Sequence, residues 1–298
     1  MPHTHSHQDQ LLSSLNKAFL WGIALNSIFV IAEFIAGYLY NSVGLISDAG
    51  HNLSDVGTLL LSLFAFRIAQ RKRSTHYTYG LKKSTILVSL FNAIILLFTV
   101  AFIIYESVER YTNPQPIKGE VIAWVASIGI LVNASTALLF MRQKNRDLNI
   151  KGAYLHMAAD ALVSLGIVIS GIVIAATGWY LIDPIMGLLV AGVILYSTWS
   201  LLQDSLRLSL DGVPAEINIE KISALIRNVP QVEGVHHIHL WAISTTENAL
   251  TAHIVIADFS KGVQELKEQI RDLLEKNGIT HSTLEFELKN ENCDCECQ

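Results

Sequence analysis

The chain has 298 residues, of which 51% are hydrophobic and only 16% charged, well below the roughly 25% charged residues of an ordinary soluble domain. Its net charge of −5 is mild and gives no footing for a nucleic-acid partner. Apolar residues dominate the first two thirds and the last ~90 residues read as soluble, so a membrane part and a soluble part are expected.

Residues 1–16 are polar and carry His3, His5 and His7. They do not read as a signal peptide, and the alternating imidazoles suit a short metal-gathering cytoplasmic arm. Six apolar stretches follow: Lys17–Tyr40, Ser42–Phe66, Lys83–Tyr105, Val121–Met141, Gly152–Thr177 and Ile182–Leu202. Each is long enough to cross a hydrocarbon layer of roughly 30 Å as a helix, which predicts a six-helix membrane domain over residues 17–208. The short Asn41-Ser42-Val43-Gly44 corner makes the first two a tight hairpin, and Asn113-Pro114-Gln115-Pro116 separates the third from the fourth. Asp183-Pro184 opens the sixth, where proline suits a helix start.

Loop charge predicts the orientation. Arg67, Arg71, Lys72, Arg73, Lys82 and Lys83 lie between spans two and three, and Arg142, Lys144, Arg146 and Lys151 between spans four and five. The loops of opposite parity hold only Arg110 and Lys118. Ten basic residues against two place the even loops, both termini and the soluble part in the cytoplasm.

Ionisable residues inside spans are costly and mark transport paths or proton relays. His51 and Asp55 in the second span and His156 and Asp160 in the fifth are each spaced i, i+4, so each pair shares one helix face. Two such faces, packed together, form an N2O2 ligand set suited to Zn²⁺. Two carboxylates neutralise the dication. Without it, desolvation and mutual repulsion favour proton uptake, and the imidazoles can also take protons as the metal leaves. Metal and protons then compete for the same atoms, which is a chemical basis for antiport. Glu33, Asn26, Asn92 and Asn133 read as polar glue between helices.

From Asp211 the periodicity changes. Ile217–Asn228 and Lys261–Asn277 have helical spacing, while Val235–Ser244, Ala249–Asp258 and Thr280–Leu288 alternate as strands. The order αββαβ predicts a small two-layer α+β domain over residues 209–289. Strand alternation puts His237 and His239 on one face and His236 on the other. His236, His239, His253, His281 and Glu287 are candidate ligands for cytoplasmic zinc. The only cysteines, Cys293, Cys295 and Cys297, stand in the 290–298 tail. At alternate positions they cannot staple a fold, and they read as a thiolate patch for a soft metal.

Ser47-Asp48-Ala49-Gly50-His51-Asn52-Leu53-Ser54-Asp55 and Leu155-His156-Met157-Ala158-Ala159-Asp160 closely resemble the motifs of the cation diffusion facilitator family. So do His76-Tyr77-Thr78-Tyr79-Gly80 and His236-His237-Ile238-His239-Leu240-Trp241. The resemblance covers nearly the whole chain, and His51 at its position looks like the zinc-type branch. It implies a homodimeric, proton-coupled zinc exporter working by alternating access, with Cd or other divalent cations as possible substrates. It carries the transport site onto His51, Asp55, His156 and Asp160. It also implies a metallochaperone-like, ferredoxin-like tail in which His236, His253, His281 and Glu287 bind metal, with the cysteines or His239 supplied by either protomer. The loop between spans four and five lacks the histidine-rich insertion of many eukaryotic relatives. A compact member of a bacterial inner membrane is therefore expected.

Other functions fit less well. A metallopeptidase needs an activating glutamate, as in H-E-x-x-H, which is missing, so no enzyme is expected. A passive channel could use the same ligands, but tight four-ligand binding opposes fast conduction.

Overall fold

The structure, a computed structural model, describes residues 4–39, 43–112, 119–145, 147–179, 181–259 and 262–289. Among these, six long helices come first: α1 (Thr4–Leu39), α2 (Val43–Ala69), α3 (Ser84–Thr112), α4 (Gly119–Met141), α5 (Leu148–Thr177) and α6 (Ile182–Ser209). A smaller unit follows, made of α7 (Ile219–Arg227), β1 (Val232–Ala242), β2 (Asn248–Ile256), α8 (Val263–Lys276) and β3 (Ile279–Leu288). The first helix begins at Thr4 rather than at Lys17, because no glycine or proline interrupts residues 4–21 and nothing there stops a helix.

The helical unit buries polar side chains among its apolar ones and exposes large apolar residues to its surroundings. Asn26, Glu33, Asn52, Asp55, His156 and Asp160 are buried, whereas Phe98 is 74% and Tyr196 86% exposed. Water penalises an apolar surface of this extent and hydrocarbon does not. Three helical segments, Lys17–Ile35, Ser84–Thr112 and Pro184–Ser209, are long and apolar enough to cross a membrane, and Ser127–Met141 is a shorter apolar helix. α3 lies along α6, α4 along α5, and α1 against α2 and α4, while α2 and α5 meet inside. Buried polar side chains join the helices. Asn26 donates to Thr136 Oγ1 (3.1 Å), Asn52 to Glu33 Oε2 (2.8 Å) and Asn92 to Ser62 Oγ (2.8 Å). With no water in hydrocarbon to satisfy them, these groups must find partners in the protein.

In the smaller unit, β1 pairs antiparallel with β2, and β2 parallel with β3, giving a mixed sheet in the order β1-β2-β3. The parallel pair needs a crossover, which α8 supplies. Asn218 starts α7 by accepting from the Lys221 N–H at 2.7 Å, as an N-cap does. Ile222 and Ile226 of α7, and Leu266, Ile270 and Leu274 of α8, recur at the spacing of one helix face. They bury against Val235, Leu240, Leu250 and Ile254 of the sheet. Each fully buried side chain of this size contributes about 1.5–3 kcal/mol. Both helices therefore cover one sheet face and leave the other open.

β1 ends at Ala242, short of the expected Ser244, because the Ser244 hydroxyl closes a turn. Its Oγ accepts from the Thr246 and Glu247 N–H groups at 3.1 and 3.0 Å. This β1–β2 turn docks on the helical unit. The Thr245 N–H donates to Thr85 Oγ1 at 3.2 Å, and its hydroxyl donates to the Asp147 carboxylate. Lys82 pairs with Glu247 and Lys83 with Asp211. Beneath them Ile86, Leu208 and Ala242 form an apolar contact with Leu148.

Candidate metal centre

Where α2 and α5 meet, three of the four predicted ligands converge. Asp55 Oδ1 lies 2.6 Å from His156 Nε2, and Asp160 Oδ2 lies 3.8 Å from the same nitrogen. One ligand atom from each residue falls within a 4.8 Å set. All three are buried, and Asp55 Oδ2 has no hydrogen-bond partner among the described residues. A buried carboxylate oxygen left over in this way calls for a proton or a cation. His51 stands on α2 one turn before Asp55, and its side chain lies outside the described ones. The donor set present, imidazole nitrogen with two carboxylates, fits Zn²⁺.

A small cavity of about 10 Å³ adjoins His156, lined by Thr58, Ser62, Asn92, Leu96, Gly152 and Ala153. That is room for roughly one water. Thr58 and Ser62 follow Asp55 along α2, Gly152 and Ala153 precede His156 along α5, and Asn92 and Leu96 lie in the first half of α3, so the cavity is on the side of the centre nearer the basic loop at 70–83.

A second group lies on the open face of the sheet. Glu287 Oε1 is 2.9 Å from His236 Nε2 and 2.8 Å from His253 Nδ1, so one carboxylate oxygen serves two imidazoles. The three residues meet because His236 faces His253 across β1–β2 and Glu287 stands opposite Val255 on β3. This donor set also fits a divalent cation, and the shared oxygen is where one would be held.

The strict alternation expected for β1 does not hold. The register shifts between His236 and His239, and His237 has φ of +51°. This extra, left-handed residue is a β-bulge. Val235 and Leu240 both point into the core, so His236 and His239 share the outer face instead of opposing each other. The bulge brings the His237 ring to 5.2 Å from His253 and 5.5 Å from His236.

The remaining candidates do not join this cluster. His239 is exposed and its ring is 6.2 Å from that of His237. His281 packs edge-on against Tyr79 of the basic loop, with ring centroids 5.4 Å apart. Cys293, Cys295 and Cys297 lie outside the described residues. Sequence reasoning passed over Glu285, 3.6 Å from His253 Nε2, although its alternation with Glu287 signalled a shared face. It also passed over Asp147, which has no motif around it.

Comparison with known proteins gives concordant matches. Residues 20–208 match the cation efflux transmembrane domain, and residues 214–287 match the cytoplasmic domain of cation efflux proteins. A zinc transporter, ZitB, of Pectobacterium atrosepticum is 34% identical over 99% of this chain and 91% of its own length. A cadmium, cobalt and zinc/H(+)-K(+) antiporter of Bacillus subtilis is 33% identical over 97% and 94% respectively. The metal cation efflux system protein CzcD of Cupriavidus metallidurans is 33% identical over 96% and 90%.

Proposed function

This chain belongs to the cation efflux family, and on that premise we propose that it is a zinc/proton antiporter exporting Zn²⁺ from the cytoplasm by alternating access. The observation that carries the reading is the buried Asp55, His156 and Asp160 group, held inside helices whose outer surface is apolar. His51, one turn from Asp55, completes the ligand set. Zinc held by two carboxylates is formally neutral and stays bound in a dry interior. Two protons, taken up by those carboxylates or by the imidazoles beside them, return the interior to neutrality once zinc has left, so each transport direction hands the site to the other cation. Cadmium and cobalt, borne by the relatives' names, are further candidate substrates.

In this reading α1–α6 are six spans forming residues 17–208, followed by a ferredoxin-like cytoplasmic domain (209–289) and the cysteine tail (290–298). The ten-to-two bias of basic loop residues puts both termini in the cytoplasm of a bacterial inner membrane. The cytoplasmic domain pairs two protomers, in keeping with its likeness to the cytoplasmic domain of cation efflux proteins. Zinc at His236, His253 and Glu287, with His239, His281 or the cysteines added by either protomer, biases the pair toward the transporting arrangement.

Reconstitution in sealed vesicles with an imposed pH gradient tests this. Zinc should accumulate against its own gradient, driven by protons, and Asp55→Ala should abolish the accumulation. Movement only down the zinc gradient, indifferent to pH, would replace the antiporter with a channel.

A further inference from the structure

His156 meets its two carboxylates through one ring nitrogen. Every hydrogen bond and ion pair that the described residues give the ring is at Nε2, with Asp55 Oδ1 at 2.6 Å and Asp160 Oδ2 at 3.8 Å. A metal-ligating imidazole almost always donates its other ring N–H to a carboxylate, a carbonyl or a water. That second bond decides which nitrogen is left to take the metal. Nδ1 of His156 therefore calls for an acceptor, and no described group supplies one directly.

The cavity beside it has the parts to supply one. Helical side chains lean toward the preceding turn, which lays the His156 ring over Gly152 and Ala153, two of the residues that line the cavity. Asn92 of α3 lines it too and is 5% exposed. Its Nδ2 is committed by donation to Ser62 Oγ at 2.8 Å, and its Oδ1 is buried without a hydrogen-bond partner among the described residues. A buried amide oxygen of this kind costs free energy until something donates to it. Thr58 adds a further polar group. Its hydroxyl donates to the Asp55 carbonyl at 2.8 Å, which leaves its oxygen free to accept. A buried water makes about three hydrogen bonds. Here it would accept from His156 Nδ1–H and donate to Asn92 Oδ1 and Thr58 Oγ1.

We propose that Asn92 is a positioning residue for His156: through one water in this cavity it holds the imidazole with Nδ1 protonated and Nε2 turned to the transported cation. This rests on the zinc-transporter reading above. Asn92 touches no ion itself. It fixes tautomer and ring direction before zinc arrives, so binding does not have to reorder them. Gly152 serves the same arrangement. A Cβ there would stand 3.5 Å from Leu201 Cδ2 and 3.8 and 3.9 Å from Asn92 Cβ and Nδ2, which is ordinary contact. Alanine would therefore fit, and inside a helix it is the more stable residue. What glycine leaves at this position is room beside Asn92.

Three variants of the full-length protein test it, each in a Glu287→Gln background, which removes the shared ligand of the sheet cluster. Gly152→Ala sets a methyl against Asn92 and takes the room of the water. It should melt no lower than its parent, yet bind zinc roughly tenfold more weakly in calorimetric titration, the lower end of what losing an outer partner of a ligand costs. Asn92→Leu should weaken zinc binding by about 10–100-fold. Asn92→Asp keeps an oxygen to accept from the water and should bind zinc close to the parent. In vesicles the half-saturating zinc concentration should follow the same order. Parental zinc affinity in Gly152→Ala or in Asn92→Leu would overturn the proposal. So would a loss in Asn92→Leu that Asn92→Asp shares, which would make the amide a packing group. Affinities that follow the pattern in a protein that moves no zinc would uphold the water-held histidine and reject the transporter reading.

Discussion

Asp55 sits where stability and function pull apart. One of its oxygens meets His156, and the other is buried without a hydrogen-bond partner among the described residues. A partnerless buried oxygen costs on the order of 1–3 kcal/mol, a penalty retained where a site must bind something else. Asp55→Asn should therefore leave the metal-free melting temperature in detergent unchanged or higher. Zinc flux should fall at least ~100-fold, since losing outer partners of a ligand alone costs about 10–100-fold. A variant that melted well below wild type would assign Asp55 to the scaffold rather than to the ion. Glu287 makes the matching case in the cytoplasmic domain, where its single Oε1 serves both His236 and His253. In an Asp160→Ala background, which removes one proposed transport ligand, Glu287→Gln should lose the remaining high-affinity zinc seen by calorimetric titration.

At the scale of elements, α5 and β1 show what the sequence reveals and what it hides. The two i, i+4 pairs, the apolar runs of α3 and α6, and the periodicity of α7 and α8 are local signals, and the elements stand close to where those signals put them. The bulge on β1 was hidden because its left-handed residue is His237, not the glycine that usually marks such a backbone. Reading by strict alternation then turned His239 and His236 to opposite faces. The Asp147–Thr245 joint was hidden for another reason: its partners are 98 residues apart, and no spacing rule spans that distance. Both features give predictions. His237→Gly should stabilise the cytoplasmic domain by roughly 1 kcal/mol, by relieving a left-handed non-glycine residue, readable as a higher denaturation midpoint. At Asp147 the sign follows from burial. Its folded pKa is raised above 3.8, so the folded state holds that proton more tightly than the unfolded state. Stability contributed there is present below 3.8 and lost as pH rises through the folded value. The melting temperature of Asp147→Asn relative to wild type should accordingly climb with pH across that window and then level off, whereas a flat difference would mean the carboxylate is not desolvated.

The whole molecule carries two kinds of metal-ligating side chain, in separate places. The buried group on α2 and α5 and the cluster on the sheet use imidazole and carboxylate, which are borderline to hard ligands. The soft donors, Cys293, Cys295 and Cys297, are confined to the last six residues. Thiolates favour cadmium over imidazole–carboxylate sets more than they favour zinc, so the tail should act on the softer ion. Truncation after Asn290 should then leave maximal zinc and cadmium flux in vesicles close to wild type, because the transport ligands are untouched. The half-saturating concentration for cadmium should rise several-fold and that for zinc less, since His236, His253 and Glu287 still gather zinc without thiolate help. Equal shifts for both ions would make the tail a general tether between protomers. No shift for either would remove the cysteines from metal handling and leave the sheet cluster as the cytoplasmic sensor.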